Sequence, residues 1–101
     1  MHYLLIYEGA DDYPARRAPH RAAHLAHARA AVARGDLVLG GAVGEPADGS
    51  VLLFVGSSPA AAEAFAAADP YVQHGVVARW RVTPWTTVVG PDAQVTLPPG
   101  L

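Results

Sequence analysis

The 101-residue sequence contains no cysteine and no lysine. Without cysteine there is no disulfide, no thiolate metal site, no iron–sulfur cluster and no cysteine nucleophile, so the chain has no redox-active side chain of its own. The seven basic residues are all arginine and are spread along the chain, and the net charge is −2, which argues against a surface that follows nucleic-acid phosphates. Hydrophobic runs are short, with no basic leader and none of the roughly 20 apolar residues that a membrane span needs. We therefore expect a cytoplasmic domain that binds neither nucleic acid nor membrane.

The length and composition predict one folded unit. Half of the residues are hydrophobic, which is enough for a single core and too little for two domains. Prolines and polar residues dominate the end of the chain, so we place the domain at residues 1–90 and a loosely held tail at residues 91–101. No internal repeat stands out.

The longest helical pattern is PHRAAHLAHARAAVARG, from Pro19 to Gly35. Proline suits the first position of a helix and glycine suits the residue just past its end. At 100° per residue, His20, His24 and His27 share one sector beside the apolar stripe, with His24 nearest the apolar edge. A side chain at such an edge can face a pocket at the rim of the core.

Four strands and a second helix complete the pattern. The predicted elements are strands at His2–Glu8, Leu37–Val43, Val51–Gly56 and Val76–Val82, and an alanine-rich helix at Pro59–Ala68. Thr83-Pro84 is expected to end the last strand, and the glycine pair Gly40-Gly41 is expected to form a bulge. The order strand, helix, strand, strand, helix, strand predicts an α+β ferredoxin-like βαββαβ sandwich, an antiparallel sheet with two helices on one face.

The other face of this sheet is predicted to be covered as well. Several strands carry apolar residues on both sides, and two tryptophans lie near the C-terminus. Two-fold dimers are the commonest oligomers, so we expect a homodimer that packs its sheets face to face, as in a dimeric α+β barrel.

Three sets of residues are candidates for chemistry. The first pairs His24 with Asp69, where a carboxylate would orient the imidazole as an acid or base near neutral pH, and Arg21 would hold an anionic group of the substrate. By spacing alone this signal is weak, because Asp69 can equally cap the turn before Pro70. The second set is a metal site from His20, His24 and His27, but one helix seldom supplies a whole site and a solvated face explains them better.

The third set is the arginines, which scatter around the helix and are explained by solvation. No phosphate loop or dinucleotide fingerprint is present, since GGAVG lies within a predicted hairpin. The residues alone therefore predict no cofactor and no metal.

Several segments, taken together, resemble the YCII-related family over nearly the whole chain. They are the opening MHYLLIYEG, the step Arg21-x-x-His24-Leu25, the glycines at 35, 40 and 41, Asp69-Pro70-Tyr71 and the closing segment Trp80 to Trp85. The family is similar in fold to the dimeric ferredoxin-like barrels. The resemblance implies a site centred on His24 and Asp69, with Tyr71 and Arg21 as neighbours that donate a hydrogen bond or hold an anion. It also implies lyase chemistry on ring compounds, with loss of halide and without a cofactor.

Two functional hypotheses follow. In the first, the chain is a small cofactor-independent enzyme, a lyase, isomerase or hydrolase, in which His24, oriented by Asp69, moves a proton on a small and cyclic organic substrate. In the second, it is a non-catalytic dimeric module that binds a small molecule or assists another protein, and His24 only donates a hydrogen bond. Replacement of His24 by alanine tests the first hypothesis, which expects turnover to be lost while the melting temperature stays nearly unchanged.

Overall fold

The chain alternates strands and helices in the predicted order. A computed structural model describes all residues, 1–101. Its elements are β1 (His2–Gly9), α1 (Tyr13–Arg17), a 3₁₀ turn (Ala18–His20), α2 (Arg21–Ala33), β2 (Leu37–Val43), β3 (Gly49–Val55), α3 (Ala60–Ala68), α4 (Pro70–Gln73) and β4 (Val77–Trp85). None of the helices is long and apolar enough to cross a membrane.

The four strands form one antiparallel sheet in the order β2-β3-β1-β4. The two main helices, α2 and α3, cover one side of it, and the side chains between them and the sheet form the core. Leu5 and Tyr7 of β1 and Leu52 and Phe54 of β3 are buried there. The predicted α+β ferredoxin-like fold is confirmed.

Helix α2 ends as its glycine predicts. Gly35 has a φ of 82°, which glycine adopts without strain. The Asp36 N–H donates to the Ala31 carbonyl and the Gly35 N–H donates to the Val32 carbonyl, the paired bonds of a Schellman motif. The start differs from the prediction, because Pro19 lies in the 3₁₀ turn and regular helix begins at Arg21.

Two strand predictions are wrong in detail. Strand β4 continues through Pro84 to Trp85, because β4 is an edge strand and pairs only with β1, so the missing proline N–H costs no ladder bond in the sheet interior. The irregular register of β2 falls between Leu37 and Leu39, so Gly40 and Gly41 are not the bulge.

The sheet face that points away from the helices, here called the outer face, is apolar over β2, β3 and the start of β1, while Glu8, Arg79 and Arg81 give it a charged corner where β1 meets β4. It carries Leu4, Ile6, Val51, Leu53, Leu39 and Trp85. Antiparallel sheets with one wet face normally show polar residues there. Leu39 is 70% exposed and Trp85 is 46% exposed, so this face is unusually hydrophobic for a surface in contact with water.

The segment after β4 has no helix or strand but is anchored at its start. The Thr87 hydroxyl is buried and lies 2.8 Å from the His2 Nδ1 atom, and it accepts a hydrogen bond from the Gln94 N–H. The Val95 N–H donates to the Thr87 carbonyl. Residues 87–95 therefore fold back against the first residues of β1, and the domain boundary at residue 90 stays a prediction.

Candidate functional site

A buried carboxylate forms the centre of the candidate site. Asp69 links α3 to α4 and has no exposed surface. Its oxygens receive the Tyr7 hydroxyl at 2.7 Å, the Tyr71 N–H at 3.0 Å and the His24 Nδ1 atom at 2.9 Å. An ionised carboxylate only accepts hydrogen bonds. With the carboxyl ionised, the proton on His24 therefore sits on Nδ1, and Nε2 is left as the basic nitrogen.

His24 comes from the first turn of α2 and is held on two sides. Its Nδ1 edge faces Asp69, and its ring stacks on the Tyr71 ring with centroids 3.8 Å apart and planes within 4°. The Nε2 atom has no hydrogen-bond partner in the protein. Every fully buried side-chain nitrogen or oxygen of the protein has a hydrogen-bond partner. Because Nε2 has none, it is not fully buried, and solvent can reach it. The ring is thus fixed by the fold while one nitrogen stays available to a ligand.

Tyr7 and Tyr71 both donate a hydrogen bond to Asp69, Tyr7 through its hydroxyl and Tyr71 through its backbone N–H. Burial raises the pKa of the Tyr7 phenol far above its ordinary value, and the negative charge of Asp69 raises it further. The Tyr7 hydroxyl therefore stays protonated and keeps donating to Asp69. Burial also raises the pKa of Tyr71, with the neighbouring Tyr13 adding to the effect and Arg17 and Arg21 opposing it.

A second layer of contacts supports Tyr71. The Tyr13 ring meets it edge-on at a centroid distance of 6.2 Å, and the Tyr13 hydroxyl lies 2.8 Å from the Ser50 hydroxyl. Both Tyr13 and Ser50 are buried. Stacking and hydrogen bonding together hold the Tyr71 ring, and through it the His24 ring, in one position.

The site opens into a cavity of about 300 Å³ between α2 and β2. His24, Tyr71 and Ser50 line it together with Arg17 and Arg21. Apart from Arg29, the rest of the wall is apolar or lacks side chains, with Leu25 and Ala28 from α2 and Gly40 and Ala42 from β2. A concave, mostly apolar pocket with a few convergent polar groups is typical of small-molecule sites.

The structure brings together all four residues singled out from the sequence. His24 contacts Asp69, Tyr71 contacts both of them, and Arg21 lines the same cavity. Asp69 also caps α4 through the Tyr71 N–H, so the capping role and the contact with His24 coexist. Their catalytic and binding roles are proposals, argued under the next heading.

The other histidines of α2 go elsewhere. The His20 ring stacks on His74 at 4.3 Å, and the His27 Nε2 atom lies 2.9 Å from the Phe65 carbonyl oxygen. No group of three or more His, Asp or Glu side chains is placed to hold a metal ion. The sector shared by the three histidines in the helical pattern therefore does not become a cluster.

Sequence reasoning missed four contributors. The sequence predicts only that Tyr7 lies in a strand, although a buried tyrosine hydroxyl needs a partner and so signals one. The sequence predicts a turn at Gly44–Ser50, which gives Ser50 no functional role. Arg17 and Arg29 were explained by solvation, yet both border the cavity, because α1 and the 3₁₀ turn bring Arg17 to the start of α2.

Fold and site together define a small ferredoxin-like chain with a His–Asp contact at a cavity. The sequence pattern of the YCII-related domain matches residues 1–86, and the chain belongs to this family. A solved structure similar in fold is 5-chloro-2-hydroxyhydroquinone dehydrochlorinase (TftG) from Burkholderia phenoliruptrix AC1100, in complex with 2,5-dihydroxybenzoquinone. It has a TM-score of 0.73 and 23% sequence identity, and the match covers 87% of this chain and 96% of that one. No curated protein sequence matches the chain.

Proposed function

We propose that the chain is a small cofactor-independent enzyme of the lyase or isomerase type, with His24 and Asp69 as an acid–base pair. The observation that carries this proposal is the fully buried Asp69 carboxylate, which holds His24 through Nδ1 while Nε2 stays accessible at the cavity. A carboxylate placed in this way selects the tautomer and stabilises the imidazolium that forms when Nε2 takes a proton.

The proposed reaction is an elimination on a small cyclic substrate. In a hydroquinone, the ring carbon that bears the leaving group first takes the proton of a neighbouring hydroxyl and becomes tetrahedral, and that hydroxyl becomes a carbonyl. Nε2 then removes the proton of a second ring hydroxyl, the electron pair of this O–H bond forms a second carbonyl, and the adjacent ring double bond shifts to the carbon that bears the leaving group. The leaving group departs with its own bonding pair as an anion, and the proton on Nε2 passes to solvent. In an isomerisation, His24 would instead return the proton to another atom of the same substrate.

Arg21 and Tyr71 are proposed to bind the substrate. Arg21 lines the cavity at the level of His24, where a guanidinium stabilises negative charge that develops on a ring oxygen. Because its pKa is raised, the Tyr71 phenol remains a hydrogen-bond donor at neutral pH. The similar fold of a dehydrochlorinase that binds a dihydroxybenzoquinone supports a substrate of this size and shape.

We further propose that two copies pair through the outer face. This face exposes large hydrophobic side chains, Leu39 and Trp85 among them, and borders a groove of about 560 Å³. Within the chain, residues 87–95 lie at the His2 end of this face and leave Leu39 exposed. A second copy of the chain presents the same apolar face, so one contact between the two copies covers the outer faces of both chains.

Replacement of His24 by asparagine tests the acid–base role. The asparagine amide can still donate to Asp69 from the position of Nδ1 but has nothing at the position of Nε2. We expect His24→Asn to keep the thermal stability within a few degrees and to lower the rate of chloride release from 5-chloro-2-hydroxyhydroquinone and related chlorinated hydroquinones by about 10²-fold or more. Chloride release and the melting curve are the two measurements.

His74→Ala is the matched control, because it removes an imidazole that lies outside the cavity lining. It should leave the rate unchanged. A His24→Asn chain that retains the wild-type rate contradicts the proposal. A wild-type chain that binds 2,5-dihydroxybenzoquinone but releases no chloride from any of these compounds also contradicts it, and indicates the non-catalytic binding module instead.

A further inference from the structure

The cavity beside His24 has two distinct ends. Helix α2 and strand β2 are joined by residues 34–36 alone and run in opposite directions along the cavity. One end, near this connection, is lined by Val32 and Leu37. The opposite end holds His24, with Ser50 beside it. A ligand that fills the space therefore lies along the axis of α2.

Three arginines border this cavity and no carboxylate does. The ion pairs of the protein are His24–Asp69, Arg34–Asp36 and Arg79–Glu8, so Arg17, Arg21 and Arg29 have no acidic partner. Arg17 and Arg21 belong to the end with His24. Arg29 stands apart from them, at the rim of the other half of the cavity.

The spacing along α2 sets a distance between the two charged regions. Arg29 lies five residues after His24, which is about 7–8 Å along the axis at 1.5 Å per residue. Leu25 and Ala28 line the helix side of the space between them, and Leu52 lies on the sheet side. This separation of the two backbone positions is close to the length of one six-membered ring with a short substituent, and the apolar walls suit the faces of such a ring.

We propose that the substrate is a ring compound with a permanent carboxylate, which Arg29 binds at the end of the cavity remote from His24. This assignment rests on the proposed function. It makes Arg29 a specificity-determining residue, since Arg17 and Arg21 stabilise the charge of the reacting end and Arg29 selects the second, anionic end.

A pair of matched probes tests the assignment by binding alone. 4-Hydroxyphenylacetate carries a ring hydroxyl at one end and a carboxylate at the other, and 4-hydroxyphenylacetamide has the same shape without the charge. By titration calorimetry at neutral pH and low salt, we expect the wild-type chain to bind the acid about tenfold more tightly than the amide. In Arg29→Gln this ratio should fall to about one, through weaker binding of the acid.

Arg34→Gln is the matched control, because it removes one charge from the end of the same helix, outside the cavity. It should keep the tenfold ratio. The assignment is overturned if the wild-type chain binds both probes with equal affinity or binds neither probe. It is also overturned if Arg29→Gln keeps the tenfold ratio or if Arg34→Gln loses it. Because the measurement needs no turnover, its failure is distinct from failure of the His24 proton transfer.

Discussion

Asp69 combines a structural role and a contact with His24 in one side chain. Its side chain caps α4 through the Tyr71 N–H and also holds His24, so the interpretation as a turn cap and the interpretation as a site residue are compatible. The sequence alone supports the cap, because the capped residue is two positions away. The contact with His24 spans 45 residues and depends on how α2 and α3 pack, which no local pattern encodes. The prediction of the His24–Asp69 pair therefore rests on the resemblance to the YCII-related family and not on the spacing of the two residues.

Tyr7 provides a prediction at the scale of a single residue. Its hydroxyl is one of three donors to Asp69, so Tyr7→Phe leaves that carboxylate with fewer hydrogen bonds and should lower the free energy of unfolding at neutral pH by about 1–2 kcal/mol. The pKa of Tyr7 is raised above its ordinary value of 10.0, which means that the folded chain holds this proton more tightly than the unfolded chain. The stability it contributes is therefore complete below pH 10.0 and is lost as the pH rises above that value.

Urea unfolding at neutral pH and above pH 10.0 measures both effects. The variant should lose less stability with rising pH than the wild-type chain. Tyr3→Phe is the control, because Tyr3 is half-buried on the same strand and its hydroxyl makes no hydrogen bond in the protein. Equal alkaline slopes for Tyr7→Phe and the wild-type chain would show that the phenol proton is not linked to folding.

At the scale of elements, long patterns were predictable and short or edge features were not. The alternation of apolar residues places β1, and the proline and glycine that flank α2 place it to within two residues. Helix α4 has only four residues, too few for a periodic pattern, so its existence depends on Asp69 and the packing of Tyr71. The path of β4 through Pro84 depends on its edge position, which follows from the order of the strands and not from the strand itself.

The pairing of β1 with β3 gives a prediction at this scale. A Cβ atom at Gly49 would overlap the Tyr7 carbonyl oxygen, which belongs to the backbone and cannot turn away. Gly49→Ala must therefore shift the two strands, and it should cost about 2 kcal/mol in the free energy of unfolding. The same shift displaces the strand that carries the Tyr7 hydroxyl to Asp69.

Chemical denaturation of Gly49→Ala beside Gly56→Ala checks the prediction. At Gly56 the nearest atom to an added Cβ is the Ser58 carbonyl oxygen at 3.5 Å, an ordinary contact, so this control should change the stability by less than about 1 kcal/mol. Similar costs for the two variants would mean that the close approach of Gly49 to β1 is not what constrains the position.

At the scale of the whole molecule, the outer face links the proposed pairing of two copies to the candidate site. The prediction of a covered second face came from strands with apolar residues on both sides, and the structure shows which side chains are left uncovered. Gly40, Gly41 and Ala42 of β2 border both the cavity beside His24 and the groove on the outer face. This part of the cavity wall is thus one strand thick, and β2 is an edge strand that pairs only with β3.

Leu39→Arg tests the proposed pairing of two copies, because a charge at a residue that is 70% exposed is harmless in a monomer and unfavourable inside an apolar interface. We expect the wild-type chain to sediment at twice its mass of 10.5 kDa and Leu39→Arg to sediment at the mass of one chain. Ala64→Arg, on the exposed side of α3, should stay paired.

Since Leu39 adjoins the glycines of the cavity wall, loss of pairing should also weaken the binding of 4-hydroxyphenylacetate. A wild-type chain that sediments as a monomer contradicts the pairing, and unpaired chains with unchanged binding would show that β2 holds the cavity without support from a second copy.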